Sequence, residues 1–391
     1  MTVDEVVHQA QEYMQGEELA GWLLYDYRGM NPIFWDTVGP VSNVTRPCWL
    51  WVPRQGHASL LVSFVDQGRF EHLGLPTTLF VSRNDMVDRL AELLAGSDRV
   101  AMEYTPLGAL PRASKVDGGT LELVRGAGVE VVPSADLVQY ATQRWNSEQL
   151  DSHIEAAEKL GQIVQEAFRF IGDRMGSGVT ELDVAEFIGR RYTEEGLEGG
   201  DGMIVAVNEH ASDPHFEPTA ESTSKIGTGD WVLIDLWARK RGDDNMFADI
   251  TWTAFVGDSV PSRHQEVFDA VIGARDAAIA ALKQAFRDGR SPQGWELDKV
   301  ARDHISEAGY GEFFNHRLGH SLGHEGHGNA VNLDGWETHD TRRVIPGVAV
   351  TVEPGIYLPE FGVRSEIDVY ISETGPRITT SVQRSVVLIG G

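Results

Sequence analysis

Cysteine is almost absent from the chain, which has a single one, Cys48, in 391 residues. One thiol excludes an intrachain disulfide and a zinc site made of several thiolates. The sequence also lacks an apolar run near the roughly 18 residues that a membrane-spanning helix needs. Residues 1–8 are acidic and lack the basic-then-apolar pattern of a secretion signal. We therefore expect a cytoplasmic protein without a membrane partner.

Basic residues are scarce relative to acidic ones: 33 Lys and Arg stand against 59 Asp and Glu, a formal net charge of −26. Binding to nucleic acid or to an anionic membrane needs clustered Lys and Arg, so this balance argues against both partners. A hydrophobic fraction of 41% and a charged fraction of 24% are typical of a globular protein. The length favours two domains.

The pattern of elements changes near residue 146. Residues 1–145 alternate short strand-like runs with amphipathic helices, which predicts a smaller α/β domain with a mixed or parallel sheet. Asn146-Ser-Glu-Gln149 resembles a capping box and is predicted to open a long helix over 147–174. The second domain is therefore predicted to cover 146–391.

Residues 146–391 combine helical periodicity with separate strand-like runs. Two runs within 231–256 predict a hairpin, and Ser291-Pro292 predicts the start of a late helix. Three more strands are predicted towards the C-terminus, over 349–357, 363–371 and 378–388. Helices packed on a mainly antiparallel sheet make this an α+β domain.

Four histidines fall within twelve residues, separated or flanked by glycines: His316, His320, His324 and His327. Imidazole is the commonest side-chain metal ligand, and glycine allows close approach of a ligand to the backbone. The cluster indicates a metal site only if carboxylates elsewhere complete it.

Four of the five strands predicted in the second domain carry an acid inside an apolar run. These acids are Asp235, Asp249, Glu353 and Glu366. Asp and Glu are rarely buried unless they are paired or bound to a metal. One such acid would usually be an edge residue or half of a salt bridge. Four of them beside a histidine cluster favour a shared cation.

Charge balance favours two metal ions. Four carboxylates carry four negative charges, which two divalent cations neutralise, and a neutral imidazole completes the ligand set. Oxygen-rich ligands with one imidazole suit Mn²⁺, Co²⁺ or Zn²⁺. Two ions about 3.5–4 Å apart can share and activate a water, so this pattern predicts a hydrolase.

These residues resemble the metallopeptidase family that contains Xaa-Pro dipeptidase (prolidase), aminopeptidase P and methionine aminopeptidase. Glu353-Pro-Gly-Ile-Tyr357 and Gly319-His320-Ser-Leu-Gly323 are close to the family's own segments. The family's five ligands match, in order, Asp235, Asp249, His320, Glu353 and Glu366. The resemblance implies a pita-bread catalytic domain, with helices on a curved, mainly antiparallel sheet. Residues 1–145 are similar to the creatinase-type domain that precedes it in the prolidase and aminopeptidase P branch.

The resemblance also implies a role for each ligand. Asp235 would hold one ion, His320 and Glu353 the other, and Asp249 and Glu366 would bridge the two. Glu353 would handle the proton of a metal-bridging hydroxide, first as general base and later as general acid. Two divalent ions per chain are expected, with Mn²⁺ ahead of Co²⁺ and Zn²⁺.

Four further residues match active-site positions of the family. His327, seven residues after the metal-binding histidine, would contact the substrate and steady the tetrahedral intermediate. His215 and His316 match two more active-site histidines, and Arg364 matches the Arg two positions before the last Glu. His324 matches neither kind of position, and we expect an ordinary polar contact there.

Proline specificity follows from the branch that the chain resembles. The bond before proline is a tertiary amide without an N–H, so a dedicated site is needed to cleave it. The prolidase Arg that clamps the terminal carboxylate of a dipeptide falls at His339, with Arg342 and Arg343 close by. We expect these three residues to bind substrate.

The leading hypothesis is an Xaa-Pro dipeptidase that acts on short proline-containing peptides as a homodimer. An Xaa-Pro aminopeptidase that acts on longer peptides is the first alternative. A creatinase-like amidinohydrolase would have replaced the metal ligands, which are intact. A non-catalytic binding protein is the third alternative, because Trp252 replaces an Arg of the family, and Met246 and Phe247 stand where a Tyr is common.

Overall fold

The chain divides into two compact units in a computed structural model, which describes residues 1–199 and 202–390. The first unit covers residues 1–144, and the second begins at Trp145. The Trp145 N–H donates to the Gly347 carbonyl at 2.7 Å, and its indole packs with Met246 and Phe247. These contacts tie Trp145 to the second unit. Within the described ranges, no helix has the length and apolar character of a membrane span.

The first unit alternates helices with short strands. In chain order these are α1 (Val3–Gly16), β1 (Gly21–Asp26), α2 (Pro32–Val38), β2 (Cys48–Pro53), β3 (Ser59–Ser63), α3 (Gln67–Phe70), β4 (Thr77–Phe80), α4 (Arg83–Leu94), β5 (Arg99–Met102), α5 (Gly118–Gly126), β6 (Glu130–Pro133) and α6 (Ala135–Thr142).

The strands of the first unit form one mixed sheet in the order β4-β3-β2-β1-β5-β6. β1, β2 and β3 are antiparallel neighbours, and β4, β5 and β6 join in parallel. Because side chains alternate along a strand, Trp22 and Leu24 face α1, α2 and α6, whereas Leu23 faces α4 and α5. Helices therefore cover both faces, and the predicted α/β class of this unit is confirmed.

Glu103, which follows β5, is a fully buried carboxyl group in the first unit. Its oxygens accept hydrogen bonds from Trp22 Nε1 at 2.7 Å, Asn31 Nδ2 at 2.9 Å and Ser134 Oγ at 3.1 Å. Burial raises the pKa of Glu103 to about 7, although these hydrogen bonds lower it. The folded unit therefore holds a proton that the unfolded chain releases at lower pH.

We expect Glu103 to make the first unit less stable as the pH rises from about 4.5 to about 7. In this window the folded state binds more protons than the unfolded state, so proton release favours unfolding. Glu103→Gln lacks this titration, and its stability relative to the wild type should rise by on the order of 3 kcal/mol across the window. Urea denaturation, with hydrogen exchange of β1 and β5 as the local readout, measures the difference.

Glu122→Gln on α5 is the matched control, because the Glu122 side chain is exposed. This variant should be as stable as the wild type to within about 0.5 kcal/mol. A difference between Glu103→Gln and wild type that is independent of pH would contradict the protonation of Glu103.

The second unit contains four long helices and several short strands among its described residues. In chain order these are α7 (Ser147–Asp173), α8 (Glu181–Glu195), β7 (Leu197–Glu198), β8 (Ile204–Val207), β9 (Trp231–Lys240), β10 (Ala248–Val256), α9 (Ser262–Arg287), α10 (Gly294–Glu307), β11 (Ser321–Leu322), β12 (Ala349–Val352), β13 (Gly355–Leu358), β14 (Phe361–Arg364), β15 (Ile367–Ser372), β16 (Gly375–Ile378) and β17 (Val387–Ile389).

Two helix pairs cover the sheets of the second unit. One sheet has the order β17-β10-β9-β7, with β8 also paired to β9, and α7 and α8 pack on it. Another has the order β11-β12-β15-β16, and α9 and α10 pack on it together with the hairpin of β13 and β14. The described pairings are antiparallel except for β10 with β17. The predicted α+β architecture is confirmed.

Local signals in the second unit were correct in some places and wrong in others. The capping box at Asn146 and Gln149 and the hairpin of β9 and β10 are present. The strand predicted over 378–388 is wrong, because β16 ends at Ile378 and β17 begins at Val387. Between them the Gln383 side chain accepts from the Thr253 N–H at 3.0 Å and donates to the Thr253 carbonyl at 2.6 Å. This side chain takes the place of a paired strand.

The predicted helix start at Ser291-Pro292 is also wrong. Helix α10 begins two residues later, at Gly294, and Gln293 is its N-cap residue. The Pro292 carbonyl accepts from the Val344 N–H at 2.9 Å instead. A contact that is distant in sequence therefore overrides the local capping signal.

Candidate metal centre

The alternation of side chains along β9 and β10 brings two acids to one face. The even-numbered residues of both strands pack against α7 and α8, so Asp235 and Asp249 lie on the opposite face. The register pairs Asp235 with Thr251 and Asp249 with Trp237. The two acids are therefore diagonal neighbours across the strand pair, within reach of one ligand.

The two glutamates lie where strands are interrupted. Glu353 follows β12 and Glu366 precedes β15. A threonine hydroxyl orients each of them. Thr351 Oγ1 donates to Glu353 Oε1 at 3.0 Å, and Thr251 Oγ1 donates to Glu366 Oε2 at 2.7 Å.

His320 is fixed by its backbone against β12. Its N–H donates to Thr351 Oγ1 at 2.9 Å, and its carbonyl accepts from the Thr351 N–H at 2.8 Å. The preceding residue must be glycine, because a Cβ on Gly319 would lie 2.1 Å from the Thr351 carbonyl oxygen. In this position His320 Nε2 is 3.4 Å from Glu353 Oε1 and 3.8 Å from Asp249 Oδ2.

Three of the acids have buried oxygens that accept no hydrogen bond from the described residues: Asp235 Oδ1, Asp249 Oδ1 and Glu366 Oε1. Burial, followed by the charges of Glu366 and Asp235, raises the pKa of Asp249 well above its usual range. Burial, followed by the charges of Glu353 and Asp235, does the same to Glu366. Packing like charges together without donors is costly unless a cation neutralises them.

The donor set fits divalent metal ions. Ligand atoms of Asp249, His320 and Glu366 all lie within 4.8 Å of one another. Carboxylate oxygens with one imidazole suit Mn²⁺, Co²⁺ or Zn²⁺. Such ions would bind the buried carboxylate oxygens that accept no hydrogen bond from the described residues.

A cavity of about 830 Å³ opens at this cluster. Nine of the residues predicted from the sequence line it: His215, Asp235, Asp249, His316, His320, His327, Glu353, Arg364 and Glu366. The fold therefore brings together residues that are up to 151 positions apart in the chain, from His215 to Glu366.

Arg364 is the centre of a buried hydrogen-bond network on one wall of the cavity. Its Nη2 donates to Asp235 Oδ2, and its Nε donates to Thr251 Oγ1 at 3.0 Å. Its Nη1 donates to the Tyr357 hydroxyl at 3.0 Å and to the Pro214 carbonyl at 3.2 Å. Arg364 thus orients the carboxylate of Asp235. Through Pro214 it also holds the segment that carries the cavity-lining His215.

His316 uses both ring nitrogens within this network. Nδ1 lies 2.6 Å from the Arg317 carbonyl, and Nε2 lies 2.7 Å from the Tyr357 hydroxyl. Burial and the charge of Arg364 lower the pKa of His316 to about 3, so the ring is neutral. Because a carbonyl only accepts, Nδ1 carries the proton, and Nε2 accepts from Tyr357. In this arrangement His316 orients Tyr357, and its predicted contact with substrate stays a prediction.

The other histidines occupy distinct places. His215 and His327 are exposed on the cavity wall. The His327 ring is edge-on to that of His320, with 4.2 Å between centroids. His324 is not among the described residues that line the cavity, and its Nε2 lies 3.4 Å from Gln149 Nε2.

The three residues predicted to clamp a substrate carboxylate do not line the cavity among the described residues. Arg342 is buried and donates from Nη2 to Asp340 Oδ2 at 2.6 Å. His339 packs against Trp295, with 5.3 Å between ring centroids, and Arg343 is exposed and bridges to the backbone of Gln293. Their predicted contact with substrate is not supported by this placement and stays a prediction.

Sequence reasoning missed Thr251 and Thr351 and three charged residues of the cavity, Glu217, Arg317 and Glu337. Thr251 and Thr351 each lie two residues from an acid, Asp249 and Glu353, and this spacing puts both members of each pair on one face of an extended segment. That spacing was the available signal. Arg317 and Glu337 line the cavity as an ion pair, and no motif in the sequence marks them.

In sequence, the chain is similar to known metallopeptidases. The model of "Metallopeptidase family M24" matches residues 155–373. An uncharacterized peptidase of Bacillus subtilis, YqhT, is 34% identical over 263 residues, which are 66% of this chain and 68% of the relative.

Two solved structures are similar over nearly the whole chain. Dipeptidase PepE from Mycobacterium ulcerans has a TM-score of 0.72 at 22% identity, and the match covers 100% of this chain and 98% of the PepE chain. An Xaa-Pro dipeptidase from Bacillus anthracis has a TM-score of 0.65 at 22% identity, and the match covers 99% of this chain and 100% of the dipeptidase chain. At these identities the likeness concerns the fold. The predicted fold, a pita-bread catalytic domain after a smaller α/β domain of creatinase type, is confirmed.

Proposed function

The chain belongs to metallopeptidase family M24, and we propose that it is a two-metal Xaa-Pro dipeptidase that cleaves the bond before proline in short peptides. One observation carries the proposal: Asp235, Asp249 and Glu366 have buried oxygens that accept no hydrogen bond from the described part of the chain, and these acids line one open cavity together with His320. The dipeptidase activity in the names of the two structural neighbours supports the choice of substrate.

Five residues are proposed to hold the metal ions: Asp235, Asp249, His320, Glu353 and Glu366. Bound divalent ions would supply Lewis acidity and would activate a water near neutral pH. Mn²⁺ is the ion that we expect, with Co²⁺ and Zn²⁺ as alternatives. The homodimer and the cytoplasmic location expected from the sequence stay predictions.

Proton transfer is assigned to Glu353. The carboxylate lines the cavity, and Thr351 fixes its Oε1 by a hydrogen bond. In this orientation Glu353 can take a proton from the attacking water and return it to the leaving amine. Proline leaves as a secondary amine and needs that proton.

The exposed imidazoles are assigned to the substrate. His215 and His327 reach the open part of the cavity, where a ring N–H can donate to the oxygen of the scissile carbonyl as negative charge develops. Arg364 does not need to touch substrate, because its donors already hold Asp235, Thr251 and Tyr357. It is proposed to keep the metal-binding carboxylate in position.

A length series of peptides tests the proposal. We expect the Mn²⁺-loaded protein to release proline from Xaa-Pro dipeptides faster than it releases the first residue from Xaa-Pro-Xaa and longer peptides, with about two metal ions per chain. Amino-acid release and elemental analysis of the same sample provide the two readouts. Hydrolysis of none of these peptides at full metal content would refute the proposal.

An Xaa-Pro aminopeptidase is the second candidate, and the size of the cavity favours it. A volume of about 830 Å³ lies high in the range of about 300–1,000 Å³ typical of ligand pockets, so a longer peptide would fit. Faster cleavage of Xaa-Pro-Xaa than of Xaa-Pro in the same series would support this candidate.

A further inference from the structure

Arg317 is a cavity-lining cation that the proposed chemistry does not use. It follows His316 on the segment that leads to His320, and its side chain is 22% exposed. Among the described residues that line the cavity, the arginines are Arg317 and Arg364. Each nitrogen of the buried Arg364 guanidinium already donates to the protein, which leaves Arg317 to meet an anionic part of the substrate.

The guanidinium of Arg317 is only partly occupied. Its Nη1 donates to Glu337 Oε2 at 3.3 Å, whereas its Nε and Nη2 donate to no residue in the described part of the chain. A guanidinium has five N–H donors in a planar fork that matches a carboxylate. Arg317 therefore keeps donors that a substrate carboxylate can bind.

Glu337 holds Arg317 against the cavity wall. Its Oε1 accepts from the Arg317 backbone N–H at 2.9 Å, in addition to the side-chain contact. Asp334 fixes the turn that presents Glu337, because its Oδ1 accepts from the N–H groups of Trp336 and Glu337. The Glu337 side chain is 40% exposed, so its ion pair with Arg317 is weak. A second carboxylate can therefore join the guanidinium.

Because the cavity is rich in carboxylates, an anionic group of the substrate needs a cation that receives it. Among the described residues, six carboxylates line the cavity: Glu217, Asp235, Asp249, Glu337, Glu353 and Glu366. Metal ions would neutralise those at the metal centre, but Glu217 and Glu337 lie outside the proposed ligand set. An anionic C-terminus in this cavity would be repelled unless a cation received it, and Arg317 is positioned to do so.

The distance to the reacting bond favours a dipeptide. The Glu353 N–H donates to the carbonyl of Leu318, the residue after Arg317, at 2.8 Å, and the side chains of Arg317 and Glu353 both line the cavity. The terminal carboxylate of a dipeptide lies about one residue, about 3.8 Å between Cα atoms, beyond the scissile bond. Each added residue would move the carboxylate farther from this part of the cavity.

We propose that Arg317 binds the C-terminal carboxylate of the substrate and so selects peptides that end at the residue after the scissile bond. This inference rests on the proposed hydrolysis of Xaa-Pro bonds and assigns its length preference to a residue outside the segment 339–343. Glu337 acts as a positioning residue that keeps Arg317 in the cavity.

The test compares Leu-Pro with Leu-Pro-amide, which lacks the terminal charge, on the full-length Mn²⁺-loaded protein. We expect the wild type to prefer the acid in kcat/KM by about tenfold or more. Arg317→Gln should remove this preference by raising KM for the acid, with the amide changed less than about twofold. Arg317→Lys should keep part of the preference, because it retains the charge but not the fork.

Two further variants sharpen the test. Arg287→Gln, an exposed residue of α9, is the matched control and should leave the ratio of acid to amide unchanged. Glu337→Gln should retain a preference for the acid, since Arg317 stays charged and an amide oxygen can still accept from its backbone. An equal loss on both peptides in Arg317→Gln, or loss of the preference only in Arg343→Gln, would overturn the proposal.

The outcomes separate this inference from the proposed function. A wild type that cleaves the acid and the amide equally well would retain Xaa-Pro hydrolysis and overturn the role of Arg317. A wild type that cleaves neither would end the proposed function. In that case the intact acid and amide can be titrated by calorimetry into the wild type and into Arg317→Gln. Tighter binding of the acid that Arg317→Gln abolishes would support the inference, and equal binding of both peptides would overturn it.

Discussion

Asp249→Asn is expected to remove bound metal and peptidase activity together, while it makes the metal-free protein more stable. Without metal, Asp249 is a buried carboxyl whose Oδ1 accepts no hydrogen bond from the described residues and whose neighbours include Glu366 and Asp235. Replacing it by a neutral amide of similar shape removes one charge and adds N–H donors for those neighbours. The amide avoids the cost of placing an acid in this cluster, which is about 1.4 kcal/mol for each unit by which the pKa of the acid is raised.

Metal content and activity should fall while the stability of the metal-free protein rises, and this combination is specific to a metal ligand. Elemental analysis after dialysis should show a lower metal content for Asp249→Asn, and activity should fall to background. Thermal unfolding with chelator should give a higher melting temperature than for the chelated wild type. With metal added, the wild type should gain stability according to its affinity for the ion, whereas the variant should gain much less.

Asp298→Asn is the matched control, because Asp298 is a buried acid whose carboxylate accepts hydrogen bonds from the protein. It accepts from Arg302 Nη2 at 3.0 Å and from the Leu318 N–H at 2.9 Å. Its replacement should lower stability with and without metal and leave the metal content unchanged, since the described cavity lining does not include it. An Asp249→Asn protein with full metal content, or one destabilised in chelator like this control, would show that Asp249 is an ordinary buried acid.

The parts of the metal centre that depend on local periodicity could be predicted from the sequence. Asp235 and Asp249 stand inside apolar, strand-like runs, and because side chains alternate along a strand, their face is fixed once the hairpin forms. Gly319 beside His320 was visible as a motif, and the structure gives its reason in the close approach of the Thr351 carbonyl. The capping box at Asn146 also depends on neighbours within one turn, and it was correct.

The parts that depend on distant contacts could not be predicted. Gln383 binds the backbone of Thr253, 130 residues earlier in the chain, and so prevents the strand that the apolar pattern favoured. Arg342 matched a substrate-binding region only by its position near a family motif, but the nearby Asp340 takes its side chain in the fold. Arg317 carried no motif and became a candidate only because the fold places it in the cavity. Partner choice among charged side chains is decided by tertiary structure.

His327→Ala is expected to retain the metal ions and lose mainly turnover. His327 is exposed on the cavity wall, with its ring 4.2 Å from that of His320, and it is not among the proposed ligands. A donor that acts on the developing negative charge stabilises the transition state more than the bound substrate. Its removal should therefore lower kcat by about 10²–10³ with a small change in KM.

His324→Ala is the matched control for this variant. His324 lies three residues earlier in the same glycine-rich segment and contacts Gln149, so its removal should change kcat by less than about twofold. Steady-state kinetics on Leu-Pro and elemental analysis of each sample separate the possible roles. A His327→Ala protein that loses metal would make His327 a ligand. One that keeps both metal and full turnover would remove it from the reaction, and the transition-state role would then pass to His215, the other exposed imidazole among the described residues that line the cavity.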